Sequence, residues 1–130
     1  MMQQFKMLSL NANGIRNRKL EFFDYLLSNN ISLAGVCETR LNEQIRFRHT
    51  DFRVFRLDNN RGLVTRGGVA ILVHVSIRCE LLPSIDTEII ETLGVRVQTQ
   101  DAQEYVGIYA SYYTKQLRIR ITSPSVVISA

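Results

Sequence analysis

The chain has 130 residues, 45% of them hydrophobic and 22% charged, which is the size and apolar content of one globular domain and excludes disorder, collagen and a long coiled coil. Its longest uncharged apolar stretch, Gly67 to Ile77, is too short to span a bilayer and is interrupted by His74 and Ser76, while the opening MMQQFKMLSL lacks a signal-peptide core. The net charge of +4 hints at an anionic partner, and the excess is local: Arg40, Arg46, Arg48, Arg53, Arg56, Arg61 and Arg66 are interspersed only with Glu43, Asp51 and Asp58.

Phe5 to Leu10 reads as a short apolar strand, ended by the turn residues Asn11-Ala12-Asn13-Gly14. From Arg18 to about Ser28, the spacing of Leu20, Phe23 and Leu27, widened by Leu26, predicts a helix with Lys19, Glu21 and Asp24 toward water. Asn29-Asn30 closes it. Ile31 to Cys37, ISLAGVC, predicts a buried strand with Glu38 at its end. Strand, helix and strand in this order form a βαβ unit, whose crossover makes the two strands parallel. Their C-terminal ends, Asn11 and Glu38, therefore emerge on one edge of the sheet.

Further along, Phe52 to Leu57 predicts a strand, Asp58 to Gly62 a loop, and Gly68 to Val75 an apolar strand entered through the turn glycines of Arg66-Gly67-Gly68. Ile77 to Leu82 is expected to lie beside that strand. Glu88 to Thr99 and Tyr105 to Ala110 add two more, and their short connections point to antiparallel pairing. Ser125 to Ala130 reads as a last strand. No repeat, low-complexity tract or linker divides the chain, so residues 1–130 read as a single domain. Cys37 in an apolar run and Cys79 in a strand-like segment fit the reduced thiols of an intracellular protein, nuclear or cytoplasmic rather than secreted, with no membrane association.

A hydrolytic triad has little support. The two histidines are His49, in a polar loop, and His74, inside an apolar strand where histidine is ordinarily a partly exposed structural residue. Asn11 and Glu38 differ in kind. Both are hard oxygen donors at adjacent strand ends, and Mg2+ takes one or two protein carboxylates, completing its shell with waters and substrate phosphate oxygens. Asn at a turn and Glu at a strand end also occur for purely local reasons.

Four stretches, Leu10-Asn11-Ala12-Asn13-Gly14-Ile15-Arg16, Val36-Cys37-Glu38-Thr39-Arg40-Leu41, Arg66-Gly67-Gly68-Val69-Ala70-Ile71 and Gly107-Ile108-Tyr109-Ala110, resemble motifs of the endonuclease/exonuclease/phosphatase superfamily in order and rough spacing. The nearest resemblance is to the apurinic-like endonuclease domain of non-LTR retrotransposons, especially the jockey-like insect elements, where it begins a polyprotein that also carries a reverse transcriptase. The resemblance implies an α/β (α+β) fold: a two-sheet β-sandwich flanked by helices, four-layered and deoxyribonuclease I-like. It also implies a magnesium-dependent DNA-nicking phosphodiesterase, with Mn2+ as a substitute cation. Glu38 would be the metal carboxylate, Asn11 would help hold the metal or its phosphate, and Tyr109 would look onto the scissile phosphate. Arg40, Arg61 and Arg66 would contact the phosphate backbone of the DNA duplex.

The sequence departs from that pattern in two places. Leu10 stands where relatives usually have tryptophan, and the chain reaches Ala130 without the Gly-Asp-x-Asn and Asp-His motifs whose residues position and activate water in relatives. The expectation is therefore an incomplete N-terminal portion of the domain. It would lack general-base assistance, typically worth about 10²–10⁴-fold, and be inactive or nearly so alone, with unpaired sheet edges and exposed apolar surface. Two other readings stay open: a non-catalytic nucleic-acid-binding remnant, and an apurinic/apyrimidinic repair-type endonuclease. Repair enzymes tend to show Gln-Glu-Thr-Lys where this chain has Cys37-Glu38-Thr39-Arg40.

Overall fold

The computed structural model describes residues 5–58, 67–86, 90–98, 105–113, 116–121 and 126–129, with Ile90 and the last three segments described by their backbone. These residues form a mixed α/β structure of two β-sheets and one α-helix. No helix among them is long and apolar enough to cross a membrane.

The βαβ unit is present. Strand β1 (Lys6–Asn11) leads through a 3-10 turn, Arg16–Arg18, into helix α1 (Lys19–Ser28), which returns the chain to β2 (Leu33–Cys37). The two strands pair in parallel, with Asn11 opposite Cys37. The helix stops at the asparagines for a local reason. Asn30 takes φ 54°, and the Asn30 and Ile31 amides donate to the carbonyls of Leu27 and Leu26. This is a left-handed C-terminal cap, and the buried Leu26 and Ile31 supply the apolar contact that accompanies it.

The helix face differs from the one expected. Phe22, Phe23 and Leu26 are buried, whereas Leu20 is 83% exposed and Leu27 sits at the margin. The apolar stripe is rotated toward Phe22 because Phe22 and Phe23 both pack on Phe47, at ring-centroid distances of 6.0 and 5.1 Å. A loop residue far along the chain thus chose the helix face.

Strands β3 (Phe52–Leu57) and β4 (Val69–His74) complete the first sheet with β10 (Val126–Ser129), in the order β10-β1-β2-β4-β3. Both β10 and β2 are parallel to β1, while β4 runs antiparallel to β2 and β3. The second sheet is antiparallel: β5 (Arg78–Leu81), β7 (Ile90–Gln98), β8 (Tyr105–Tyr113) and β9 (Gln116–Ile121), with the short β6 (Ile85–Asp86) also paired to β7. The segment after β4 is therefore not its neighbour. Both hydrogen-bonding edges of β4 are taken by β2 and β3, so the turn at His74–Ile77 sends β5 into the other sheet.

Period-two alternation explains why β2 and β4 read as unbroken apolar runs. Val69, Ile71 and Val73, with Met7, Leu33 and Cys37, face Leu93, Val95 and Val97 of β7 and form the core between the sheets. Ala70, Leu72, Ala34 and Val36 point the other way, onto Phe22, Phe23, Leu26 and Phe47. The central strands are covered by helix and loop on one side and by the second sheet on the other, which is the burial that favours such sequences.

Candidate functional site

The end of the β1–β2 ladder does not stop at Asn11. Past the strand, the amides of Ala12, Gly14 and Ile15 donate to the carbonyls of Cys37, Glu38 and Thr39 at 2.9, 2.8 and 3.1 Å. The segment Asn11–Ile15 is thereby laced to Cys37–Thr39, and the expected meeting of Asn11 and Glu38 at one sheet edge is what the register delivers. Asn11 is exposed, and its Oδ1 accepts the Asn13 amide at 3.2 Å in an Asx turn. A carboxamide oxygen carries a second lone pair. The local role and a ligand role are therefore compatible.

Glu38 and Arg40 hold φ angles of 52° and 53° on either side of Thr39, which is 1% exposed. Left-handed backbone at non-glycine residues costs about 1–3 kcal/mol each and persists only where the surroundings impose it. Here they do. The Thr39 amide donates to the Gly68 carbonyl at 3.2 Å and the Arg40 amide to the Gly67 carbonyl at 2.9 Å. Gly67 and Gly68 themselves take φ 66° and 88°, and a Cβ on Gly68 would collide with Thr39 Oγ1. The Gly-Gly pair is required by this turn.

The second sheet supplies a residue that the sequence reading did not single out. On β7, Glu91 shares its face with Leu93, Val95 and Val97, so it points between the sheets and is 3% exposed. Its Oε1 accepts the Gly68 amide at 2.9 Å. The signal was available: a carboxylate in phase with three apolar residues of one strand is out of place unless it has a partner.

Cys37 faces the same interior. Burial first, then the charges of Glu38 and Glu91, push its thiol up to about 12, so it stays protonated at neutral pH. Its side chain packs in the core between the sheets, and the donors offered at this edge are hard oxygens, the set suited to Mg2+ or Mn2+ rather than a thiolate-preferring metal. No group of three or more His, Cys, Asp or Glu side chains with metal-binding geometry occurs among the described residues. The Asn11 and Glu38 pair fits a cation that brings most of its own shell as water and phosphate oxygen.

Next to this edge lies a cleft of about 540 Å³ lined by Asn13, Gly14, Arg16, Asn17, Arg18, Arg40 and Asn42, with Ala12 and Ile45. Arg16, Arg18 and Arg40 are exposed, and Arg40 joins the cleft because its turn packs against Gly14, where an added Cβ would lie 3.5 Å from Arg40 Cδ. Of the arginines expected to contact phosphate, Arg40 is thus placed beside Asn11 and Glu38, while Arg61 and Arg66 lie outside the described residues. Arg16 and Arg18 join it from the turn before α1. Arg56 is engaged elsewhere: its guanidinium bonds the carbonyls of Asn42 and Ile45 at 2.7 and 2.9 Å and pairs with Asp58 at 2.7 Å. Tyr109 is placed by backbone alone, on β8 opposite Gly94 and Arg120.

Compared with protein-family models and with curated proteins, the chain matches none. Its function is therefore read from the site itself. Neither histidine stands at the Glu38 edge. His74 ends β4 at the opposite edge, with Nδ1 2.8 Å from Ser76 Oγ, and His49 stacks on Phe23 at 5.0 Å near the same end. His74 is half-buried, the partial exposure expected of a strand histidine.

Proposed function

We propose that the chain is a magnesium-dependent phosphodiester-binding unit of the endonuclease/exonuclease/phosphatase type that engages the backbone of duplex DNA. The observation that carries the reading is the parallel register of Asn11 and Cys37, with Glu38 next in the chain and an arginine-lined cleft alongside. Two of the four motif stretches contain these residues, and a third supplies the Gly67 and Gly68 carbonyls that bind the Glu38 turn. The two-sheet structure with a covering helix is compatible with a four-layer, deoxyribonuclease I-like domain, and the retrotransposon resemblance makes a reverse-transcriptase polyprotein the context of origin.

In this reading Glu38 and Asn11 hold the cation through carboxylate and carboxamide oxygens. Mg2+, when bound, supplies Lewis-acid polarisation of a phosphoryl oxygen and stabilisation of the leaving oxyanion. Arg40, Arg16 and Arg18 bind flanking phosphates and fix the backbone against the edge. Tyr109 is proposed to face the scissile phosphate. Removing a proton from water needs a base within hydrogen-bond reach, and both histidines lie at the far edge of the sheet. On the described residues, where neither histidine can serve as that base, the chain is proposed to bind DNA and cation and to turn over slowly.

The test is duplex binding by fluorescence anisotropy with and without Mg2+, alongside nicking of supercoiled plasmid. The expected result is DNA binding that Mg2+ strengthens, a Mg2+ effect lost in Glu38→Ala, and little nicking. Fast Mg2+-dependent nicking abolished by Glu38→Ala would overturn the slow-turnover part. Salt-sensitive binding indifferent to Mg2+ and to Glu38→Ala would favour a second reading, a non-catalytic nucleic-acid-binding module. The arginine cleft, which does not include Glu38, favours that reading.

A further inference from the structure

Two backbone hydrogen bonds tie the Glu38 turn to the Gly67-Gly68 segment that enters β4, and a third, to a side chain, ties that segment to the second sheet. Thr39 and Arg40 donate to the carbonyls of Gly68 and Gly67, and the Gly68 amide donates to Glu91 Oε1. Glu91 is the only charged member of the inner face of β7 among the described residues, in phase with Leu93, Val95 and Val97. An apolar side chain there would extend the core between the sheets without the desolvation that a carboxylate suffers. What the carboxylate does is accept an amide that the two sheets would otherwise bury unpaired, at the residue whose left-handed conformation and missing Cβ make room for Thr39.

We propose that Glu91 is the positioning residue of the Glu38 turn, fixing the conformation of that turn from the opposite sheet through the backbone of Gly68. Glu38 and Arg40 are both held at left-handed φ; the Gly14 and Ile15 amides bind the carbonyls of the turn on one side, and the Gly67 and Gly68 carbonyls bind its amides on the other. The Gly67 and Gly68 carbonyls are aimed by the Gly68 backbone, and Gly68 is anchored by Glu91. That Glu38 serves a cation rests on the function proposed above; that Glu91 sets the turn does not.

The experiment compares Glu91→Gln, which keeps a side-chain oxygen to accept the Gly68 amide, with Glu91→Leu, which does not. Two readouts are taken on the whole chain: Mn2+ affinity by electron paramagnetic resonance, and hydrogen exchange of the Gly68, Thr39 and Arg40 amides in metal-free buffer. Glu91→Leu is expected to lose protection at those three amides while Ile71 and Leu93 keep theirs, and to weaken Mn2+ roughly 10- to 100-fold, the usual effect of removing a group that orients a metal ligand. Glu91→Gln is expected to restore both. Unchanged protection at Gly68 in Glu91→Leu would overturn the proposal, as would Glu91→Gln losing Mn2+ as fully as Glu91→Leu, since Glu91 would then be a ligand itself. If Glu91→Leu does not fold, a Gly68 amide exchanging at the unprotected rate in the wild type or in Glu91→Gln overturns it. Loss of protection with no Mn2+ binding by the wild type, or Mn2+ affinity unaffected by Glu38→Ala, would sink the metal-site reading and leave the positioning role standing.

Discussion

The Thr39 hydroxyl occupies the space that a Cβ on Gly68 would need, and the Thr39 amide donates to the Gly68 carbonyl. Each residue therefore constrains the other. Gly68→Ala meets both a left-handed φ of 88° and the Thr39 side chain, and is expected to destabilise the fold by about 2 kcal/mol or more. Adding Thr39→Ala removes the collision but not the backbone strain, so the double variant should recover part of the loss. Urea unfolding of the two singles and the double gives the coupling energy, and strict additivity would count against the contact.

Arginines in the cleft and Arg56 differ in kind. Arg16→Gln and Arg40→Gln, in the open cleft, are each expected to lower the slope of log affinity for duplex DNA against log salt by about 0.9, with little change in stability. Arg56→Gln is expected to leave that slope alone and cost about 2 kcal/mol, because its guanidinium ties Asn42, Ile45 and Asp58 together. Salt titrations paired with urea midpoints separate the two effects.

On α1, Phe23→Ala should cost about 3–5 kcal/mol, since the ring is buried among Phe22, Phe47, His49 and Phe52. Leu20→Gln should stay within about 0.5 kcal/mol, because the side chain is 83% exposed. A large loss from Leu20→Gln would mean the helix packs with the other face.

The Cys37 thiol titrates at about 12 when folded against an ordinary value of 9.0. Above pH 9 the unfolded chain releases this proton and the folded chain keeps it, so stability is lost as pH rises from about 9 toward about 12. The contribution reaches about 1.4 kcal/mol per pH unit in that window. Urea midpoints in metal-free buffer should fall less steeply with pH in Cys37→Ala than in the wild type. Equal slopes would show that the buried thiol does not govern the alkaline limb.

Local pattern was enough for the βαβ unit, for β3 and β4, and for Asn11 and Glu38 at one edge, because strand period, the turn asparagines and the parallel crossover are all short-range or follow from chain direction. It was not enough for the helix face, where Phe47 outcompeted Leu20, or for β5, whose sheet was decided by β4 having both edges occupied. Period two puts Glu91 in phase with three apolar residues, but its partner, the Gly68 amide, is far away in sequence and meets it only once two sheets stack. Residue type and spacing determined which donors this protein carries. The tertiary structure decided that Glu38 is half-buried at the strand end and that Glu91 is buried against the Gly68 amide, because burial and backbone strain depend on elements that meet only after folding.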